Sequence, residues 1–154
     1  MVNDMRARHR RLESGFSTTV QGLFYTVLLW WSFGLVFDLG GAAYVSARLR
    51  SAAMSAAQDA AKYVDVAEIY RSDRLQIDAG PAQARARAVF ARAMSGIPSE
   101  IAVSVQSGVL RDFVVVDARA VAPMRILRGF GMRDLVLSTH FAAEAVPGIE
   151  REYE

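Results

Sequence analysis

The side chains that most often carry catalysis or bind metals are scarce in this chain. It has no cysteine, which excludes disulfides and thiolate chemistry, and its two histidines, His9 and His140, are far apart. Neither has carboxylates at the spacing of a metal motif. His140 shares the polar face of a predicted strand with Ser138 and Glu144, but ~13 Å of strand separates His140 from Glu144. We therefore predict no catalytic residue, no metal site and no cofactor, and expect that this protein is not an enzyme.

The basic residues are almost all arginines, since Lys62 is the sole lysine, and they are scattered beyond an N-terminal cluster. A nucleic-acid-binding surface needs a basic face with aromatic side chains interleaved, and the sequence shows no such pattern. We expect no nucleic-acid partner. The N-terminal cluster is better suited to orienting the chain at a membrane and attracting anionic lipid headgroups.

Residues 14–37 contain no charged side chain and are mostly apolar. As a helix this stretch would reach roughly 36 Å, enough to cross the ~30 Å hydrocarbon layer of a bilayer. We predict a transmembrane helix over residues 14–38. A buried helix of a soluble core and a cleaved secretory signal are the alternatives, but the apolar run is long for either.

The charges around this span predict its orientation. Arg6, Arg8, Arg10 and Arg11 precede it, whereas Asp38 is the first charge after it. Because positive charge near a span resists translocation, we expect residues 1–13 to form a cytoplasmic tail and the rest of the chain to lie outside the cytoplasm. The predicted location is the plasma (inner) membrane, single-pass.

A few polar and aromatic side chains within the span are candidate contact residues. The T-x-x-Q spacing from Thr18 to Gln21 predicts that the helix starts at Thr18. Gln21, an amide in an apolar zone, favours a partner on another helix or a place near the headgroups. Trp30 and Trp31 lie deeper than an interfacial belt, which indicates either a shifted span or packing on another helix. Asp38 marks the outer edge.

The helical pattern continues beyond the membrane as a stalk, residues 39–70. Small and apolar residues recur at three- and four-residue steps: Leu39, Ala42, Val45, Leu49, Ala52, Ala53, Ala56, Ala60 and Val64. We expect this face to cover the outer domain in its distal half, and to pack beside partners. Gly40 and Gly41 are a plausible hinge, because glycine weakens a helix.

Residues 71–154 predict a small outer domain. Residues 71–80 read as a loop, Pro81 opens an amphipathic helix, and Gly96 and Pro98 end it. Three segments follow in which apolar and polar residues alternate, as is typical of strands: one around Val103, one over residues 113–121 and one over residues 135–145. We expect one helical turn between the last two. The predicted fold class is α+β: a long N-terminal transmembrane and stalk helix, a second amphipathic helix, and a three-stranded antiparallel sheet with one face covered by helix.

This order of features resembles the TadE/TadG-like pseudopilins of the tight-adherence (Flp) pilus system. The residues that carry the resemblance are the basic tail before Gly15, the outer-edge Asp38, the Arg48–Leu49 pair leading into an alanine-rich helix, and the late strands. The resemblance covers nearly the whole chain. It implies a minor pseudopilin or pilus-assembly component that acts through contacts with membrane lipid and with pilin or assembly proteins, as a homo- or hetero-oligomer through the helix.

The resemblance also implies a processing site, with Gly15 as the last leader residue and Phe16 as the first mature one. Processed members have a glutamate at the fifth mature position, which here is Val20. The unprocessed TadG-like members, which stay anchored, are therefore the closer analogy. The alternative function is a single-pass anchored extracytoplasmic binding or sensor module unrelated to pili.

Overall fold

The fold combines two α-helices with one sheet. The structure, a computed structural model, describes residues 2–65, 75–109 and 111–145, with side chains from Thr18 onward. In chain order the elements are α1 (Val2–Ala60), α2 (Ala79–Ala93), β1 (Ser99–Gln106), β2 (Phe113–Ala122), a short 3-10 helix (Leu127–Phe130) and β3 (Leu135–Glu144). This confirms the predicted α+β class.

The chain divides into two compact units. One comprises Met1–Gly40 with Met124–Arg133, and the other comprises Gly41–Pro123 with Asp134–Glu154. The boundary in α1 falls between the two glycines that the sequence predicted as a weak point, and α1 is helical on both sides of it.

The predicted start of α1 at Thr18 is wrong, because the helix already begins at Val2. The Thr18–Gln21 capping pattern lies in the helix interior. Residues 2–13 contain no proline or glycine and include four arginines, one methionine and one leucine, which are good helix formers. The polar tail therefore belongs to the same helix as the apolar stretch.

The predicted end of this helix near Tyr70 is also wrong, since α1 ends at Ala60. After a turn, the chain becomes extended: Val64 pairs with Ile77 in an isolated antiparallel bridge, and the Asp65 amide donates to the Gln76 carbonyl at 2.8 Å. A β-branched residue suits extended backbone, and this pairing outweighs the helical spacing of the sequence. Residues 66–70 of the predicted stalk and 71–74 of the predicted loop lie outside the described residues.

Helix α2 begins two residues before the predicted Pro81. Asp78 caps it, because its side-chain oxygen accepts a hydrogen bond from the Gly80 amide at 3.3 Å. An amphipathic helix is confirmed, since the apolar residues Ala86, Phe90 and Met94 share one face by their spacing and are buried.

The sheet is antiparallel, as predicted, and its strand order is β1-β2-β3. The central strand β2 contributes buried side chains to the core. Alternate residues along it are 0–1% exposed: Val114, Val116, Ala118, Ala120 and Ala122. Val116 lies between Val103 of β1 and Phe141 of β3. The period-two pattern thus predicted both the strands and their buried face.

The part of α1 in the same unit as the sheet presents a buried face of small residues. The buried residues, each at most 8% exposed, are Ala42, Val45, Leu49, Ala52, Ala53, Ala56, Ala57, Ala60 and Ala61. Two members of the predicted stripe are wrong, because Leu39 is 52% exposed and Val64 lies beyond the helix. The chain itself covers this face, as expected for its distal half, and contact of residues 42–61 with partner proteins stays a prediction.

Candidate membrane span and the Asp38 turn

Most of the apolar part of α1 is exposed, and from residue 18 to residue 33 every residue is exposed. Apart from Leu35, which is half-buried, the large apolar side chains over residues 20–37 keep 41–74% of their surface accessible, including five consecutive residues from Val27 to Trp31. Only 6% of the most apolar window is buried, whereas a soluble core would cover most of it. A helix that is apolar on all sides is stable in a hydrocarbon environment. Among the described residues, this is the one helix that is long and apolar enough to cross a membrane.

The hydroxyl groups of Thr26 and Ser32 in this stretch form hydrogen bonds within α1. Thr26 Oγ1 donates to the Gly22 carbonyl and Ser32 Oγ to the Leu28 carbonyl, each at 2.9 Å. These bonds remove the cost of placing a hydroxyl in lipid. The two side chains therefore need no partner to be tolerated in the span.

The other predicted contact residues of the span point outward. Gln21 is exposed, and Trp30 and Trp31 are 65% and 41% exposed. Their contacts with another helix stay a prediction. Gly15 and Phe16 lie within α1, but their side chains are outside the described part of the chain.

Asp38 differs from these residues because it is buried, with 4% of its surface exposed. Its Oδ1 accepts a hydrogen bond from the Arg125 amide at 3.1 Å, and its Oδ2 accepts from the amides of Ile126 and Leu127 at 2.9 and 2.7 Å. These amides lie at the start of the 3-10 helix, where backbone N–H groups have no partner within the helix. The carboxylate of α1 thus caps a helix that follows it by almost ninety residues of chain.

Gly34 lies one helical turn before Asp38 and lets the same segment approach α1. A Cβ atom at position 34 would lie 2.7 Å from Ile126 Cγ2 and 3.5 Å from Leu127 Cδ2. The first distance is shorter than real side chains allow, so glycine is required for this packing. Residues 34 and 38 of α1 therefore form one docking point for the segment Met124–Arg133. We call this segment, Met124–Arg133, the Asp38 turn, because Asp38 binds its backbone amides.

The Asp38 turn has a defined backbone. Gly131 adopts a left-handed conformation (φ 84°), and the amides of Gly131 and Met132 donate to the carbonyls of Arg128 and Leu127 at 3.1 and 3.2 Å. This is the Schellman-type ending that glycine permits. The sequence predicted a helical turn here but not its partner on α1. The missed signal was an aspartate four residues after a glycine at the end of an apolar stretch.

In the second unit, charged side chains join α1 to α2. Arg48 Nε donates to the Ala93 carbonyl at 2.7 Å, at the end of α2, where carbonyls lack helical partners. Asp59 accepts from Arg85 at 2.9 Å and from Lys62 at 2.9 Å. Both members of the Arg48–Leu49 pair therefore have a structural role. Arg48 binds the end of α2, and Leu49 is buried.

His140 pairs with a residue that the sequence did not indicate. The antiparallel register places it opposite Asp117 of β2, and Nδ1 lies 2.7 Å from Asp117 Oδ1. Both side chains are more than 60% exposed on the open face of the sheet, beside Arg119 and Ser138. Water screens such a pair, which weakens it. Among the described residues no cluster of three His, Asp or Glu side chains is placed to hold a metal.

Comparisons were made with family models, with curated proteins and with solved structures, and none of the three gave a match.

Proposed function

We propose that this protein is a single-pass membrane protein whose second unit lies outside the cytoplasm. The observation that carries the proposal is the part of α1 over residues 20–33, which is apolar and exposed on every side. The basic cluster from Arg6 to Arg11 and the lack of positive charge directly after the span favour a cytoplasmic N-terminus.

The proposed role is that of an anchored assembly component, or minor pseudopilin, of a Tad-type pilus. Its support is the resemblance of the chain to TadE/TadG-like proteins, in particular the basic tail, Asp38 and the Arg48–Leu49 pair. The protein would act by contact rather than by catalysis. The surface left for partners is the exposed helix with Gln21, Trp30 and Trp31, because the alanine-rich face beyond residue 42 is covered by the chain itself.

Two modes of action are distinguished by processing after Gly15. Cleavage would leave Phe16 as a free N-terminus, and the protein would then be able to leave the bilayer with a fibre. The fifth mature position is Val20, which has no charge to pair with a neighbouring amine. We therefore favour the uncleaved, permanently anchored mode.

The intact mass of protein purified from membranes of its own host tests the mode. The expected mass is that of the full chain, whether the prepilin peptidase is present or deleted. A peptidase-dependent mass that matches a start at Phe16, and that disappears in a Gly15→Val variant, would establish the pseudopilin mode instead. A shorter chain that starts beyond residue 37 in both strains would identify the stretch as a secretory signal and overturn the anchor.

Deletion of the gene tests the pilus role. We expect fewer surface pili in the deletion strain, with recovery on expression of the wild-type chain and no recovery with Leu28→Arg. Unchanged pili in the deletion strain would overturn the role. They would leave the second candidate, an anchored binding module, which the open sheet face with Asp117, Arg119 and His140 favours. If the protein is such a module, the double variant Asp117→Ala/His140→Ala should lose binding at this face and should still be retained in the membrane.

A further inference from the structure

The Asp38 turn has an unusual composition for an exposed segment. Its sequence, MRILRGFGMR, contains three arginines and no acidic residue. The three arginines are exposed: Arg125, Arg128 and Arg133. Phe130 and Met132 are also exposed, by 53% and 45%. The segment therefore presents positive charge and large apolar side chains together.

The position of the turn along α1 is fixed by the contacts with Gly34 and Asp38. The charge-free stretch ends at residue 37, so these two contacts straddle its end. If the proposed span is centred on this stretch, the turn lies at the boundary between hydrocarbon and headgroups. At that depth arginine meets phosphate and an aromatic or thioether side chain meets the first carbons of the acyl chains.

Arg128 and Arg133 are free to bind an external anion, whereas Arg125 also interacts electrostatically with the Asp38 carboxylate. The nearby carboxylate, Asp38, is saturated by three backbone amides rather than by a guanidinium group. Arg128 and Arg133 form no ion pair with any carboxylate in the part of the chain that the structure describes. Guanidinium groups bind phosphate oxygens through paired hydrogen bonds.

We propose that the Asp38 turn is a membrane-interface element: Arg125, Arg128 and Arg133 bind the headgroups of anionic phospholipids, while Phe130 and Met132 insert at the acyl boundary. The proposal rests on the proposed membrane anchor. It gives Asp38 a positioning role, since its carboxylate holds the amides of the turn and thereby holds the arginines at headgroup depth.

The absence of cysteine allows a direct test in the full-length protein. Single cysteines replace Val27 in the span, Met132 in the turn, or Val109, which is 93% exposed in the other unit. Each carries an environment-sensitive fluorophore, and the protein is reconstituted in phosphatidylcholine vesicles with or without phosphatidylglycerol. Lipids with a spin label near the headgroup quench a fluorophore at the interface, and lipids with a spin label deep in the acyl chain quench a fluorophore in the hydrocarbon core.

We expect quenching by the acyl-chain label at position 27, by the headgroup label at position 132, and by neither at 109. At position 132 quenching should rise by about twofold or more when phosphatidylglycerol is present, because each interfacial arginine favours an anionic surface. The variant Arg125→Gln/Arg128→Gln/Arg133→Gln should lose this rise. The matched variant Arg87→Gln/Arg92→Gln/Arg119→Gln, with the same charge change in the other unit, should keep it.

The outcomes separate the two proposals. Quenching at position 27 without quenching at 132 overturns the interface element and leaves the anchor intact. Quenching at 132 that is equal in neutral and anionic vesicles overturns headgroup binding by the arginines. An unquenched fluorophore at position 27 overturns the anchor itself.

Discussion

The two parts of α1 on either side of the Gly40–Gly41 pair differ in the size and the exposure of their side chains. Before it, large side chains such as Phe24 and Trp30 remain more than 60% exposed, and after it, small side chains such as Ala53 and Ala56 are fully buried. A helix with bulky apolar residues on all sides is suited to lipid, whereas a face of alanines allows other parts of the same chain to approach closely. One continuous helix thus combines a part that is long and apolar enough to cross a membrane with a part that is packed in a protein core.

The Asp38 turn contacts α1 at the end of its exposed apolar part. Gly34 and Asp38 provide the only strongly buried positions of α1 within the first unit's described side chains. A glycine supplies space and a carboxylate supplies hydrogen bonds, so the helix gains a docking point without a large apolar interface. The predictions below exploit this contrast between the parts of α1.

The largest effect is expected where leucine is buried in protein rather than exposed. Leu49 is 1% exposed, so Leu49→Ala should lower the free energy of unfolding of its unit by ~2–5 kcal/mol, because it removes buried methyl groups and leaves a cavity. Hydrogen exchange of the strand amides in detergent measures this. Leu28→Ala is the matched control, and an equal loss of protection in both variants would break the distinction between the two halves.

A charge in the exposed part of α1 should weaken membrane insertion. Leu28→Arg should weaken membrane insertion by ~2.5–3.5 kcal/mol, which alkaline extraction of membranes would detect as released or degraded protein. Tyr44→Arg places the same charge at an exposed position beyond the span and should be retained. Normal retention of Leu28→Arg would place the span elsewhere.

A side chain at Gly34 should detach the Asp38 turn. Gly34→Leu forces overpacking against Ile126, with an expected cost of ~1–3 kcal/mol and faster hydrogen exchange at the amides of Ile126 and Leu127. Gly22→Leu makes the same change in the same helix, but a Cβ there meets nothing within 4 Å. Unchanged exchange in Gly34→Leu would show that the turn is held by other contacts.

The smallest effect concerns Asp59, which lies outside the span. Hydrogen bonds from Lys62 and then Arg85 lower the pKa of its carboxyl below the ordinary value. The resulting stabilisation is present above the ordinary pKa of about 3.9 and is lost as the pH falls through the lowered one. Because the carboxyl is partly exposed, Asp59→Asn should cost less than ~1 kcal/mol at neutral pH.

Thermal unfolding of wild type and Asp59→Asn at neutral and acidic pH measures that difference. The two proteins should converge as the pH falls below the lowered pKa. A difference that grows toward acidic pH would mean that the ionised carboxylate does not stabilise the fold.

Much of the fold was predictable because its elements have regular patterns. The alternation in β2 indicated which side chains are buried, and the spacing from Ala42 to Ala60 indicated the buried face of α1. The ends of α1 were not predictable from the same patterns. Its start depended on the helix propensity of a charged tail, and its end on pairing between Val64 and Ile77, which are brought together by the fold.

The candidate site was only partly predictable. Residue type and position singled out Asp38 at the edge of the span, but its partners follow it by almost ninety residues, and no local pattern reports a contact at that distance. The pairing of His140 with Asp117 was missed for the same reason, because it depends on strand register. The exposure of Gln21, Trp30 and Trp31 agrees with a lipid or helix contact, which stays a prediction.

The central claim is that residues 14–38 cross a membrane with the second unit outside. Labelling of single-cysteine variants with a membrane-impermeant maleimide tests it most directly, with cysteines at Met5, Val27 and Val109. In intact spheroplasts we expect labelling of Val109→Cys alone, with Met5→Cys labelled only after lysis and Val27→Cys protected in both conditions. Labelling of Val27→Cys as readily as Val109→Cys, or of Met5→Cys before lysis, would contradict the account.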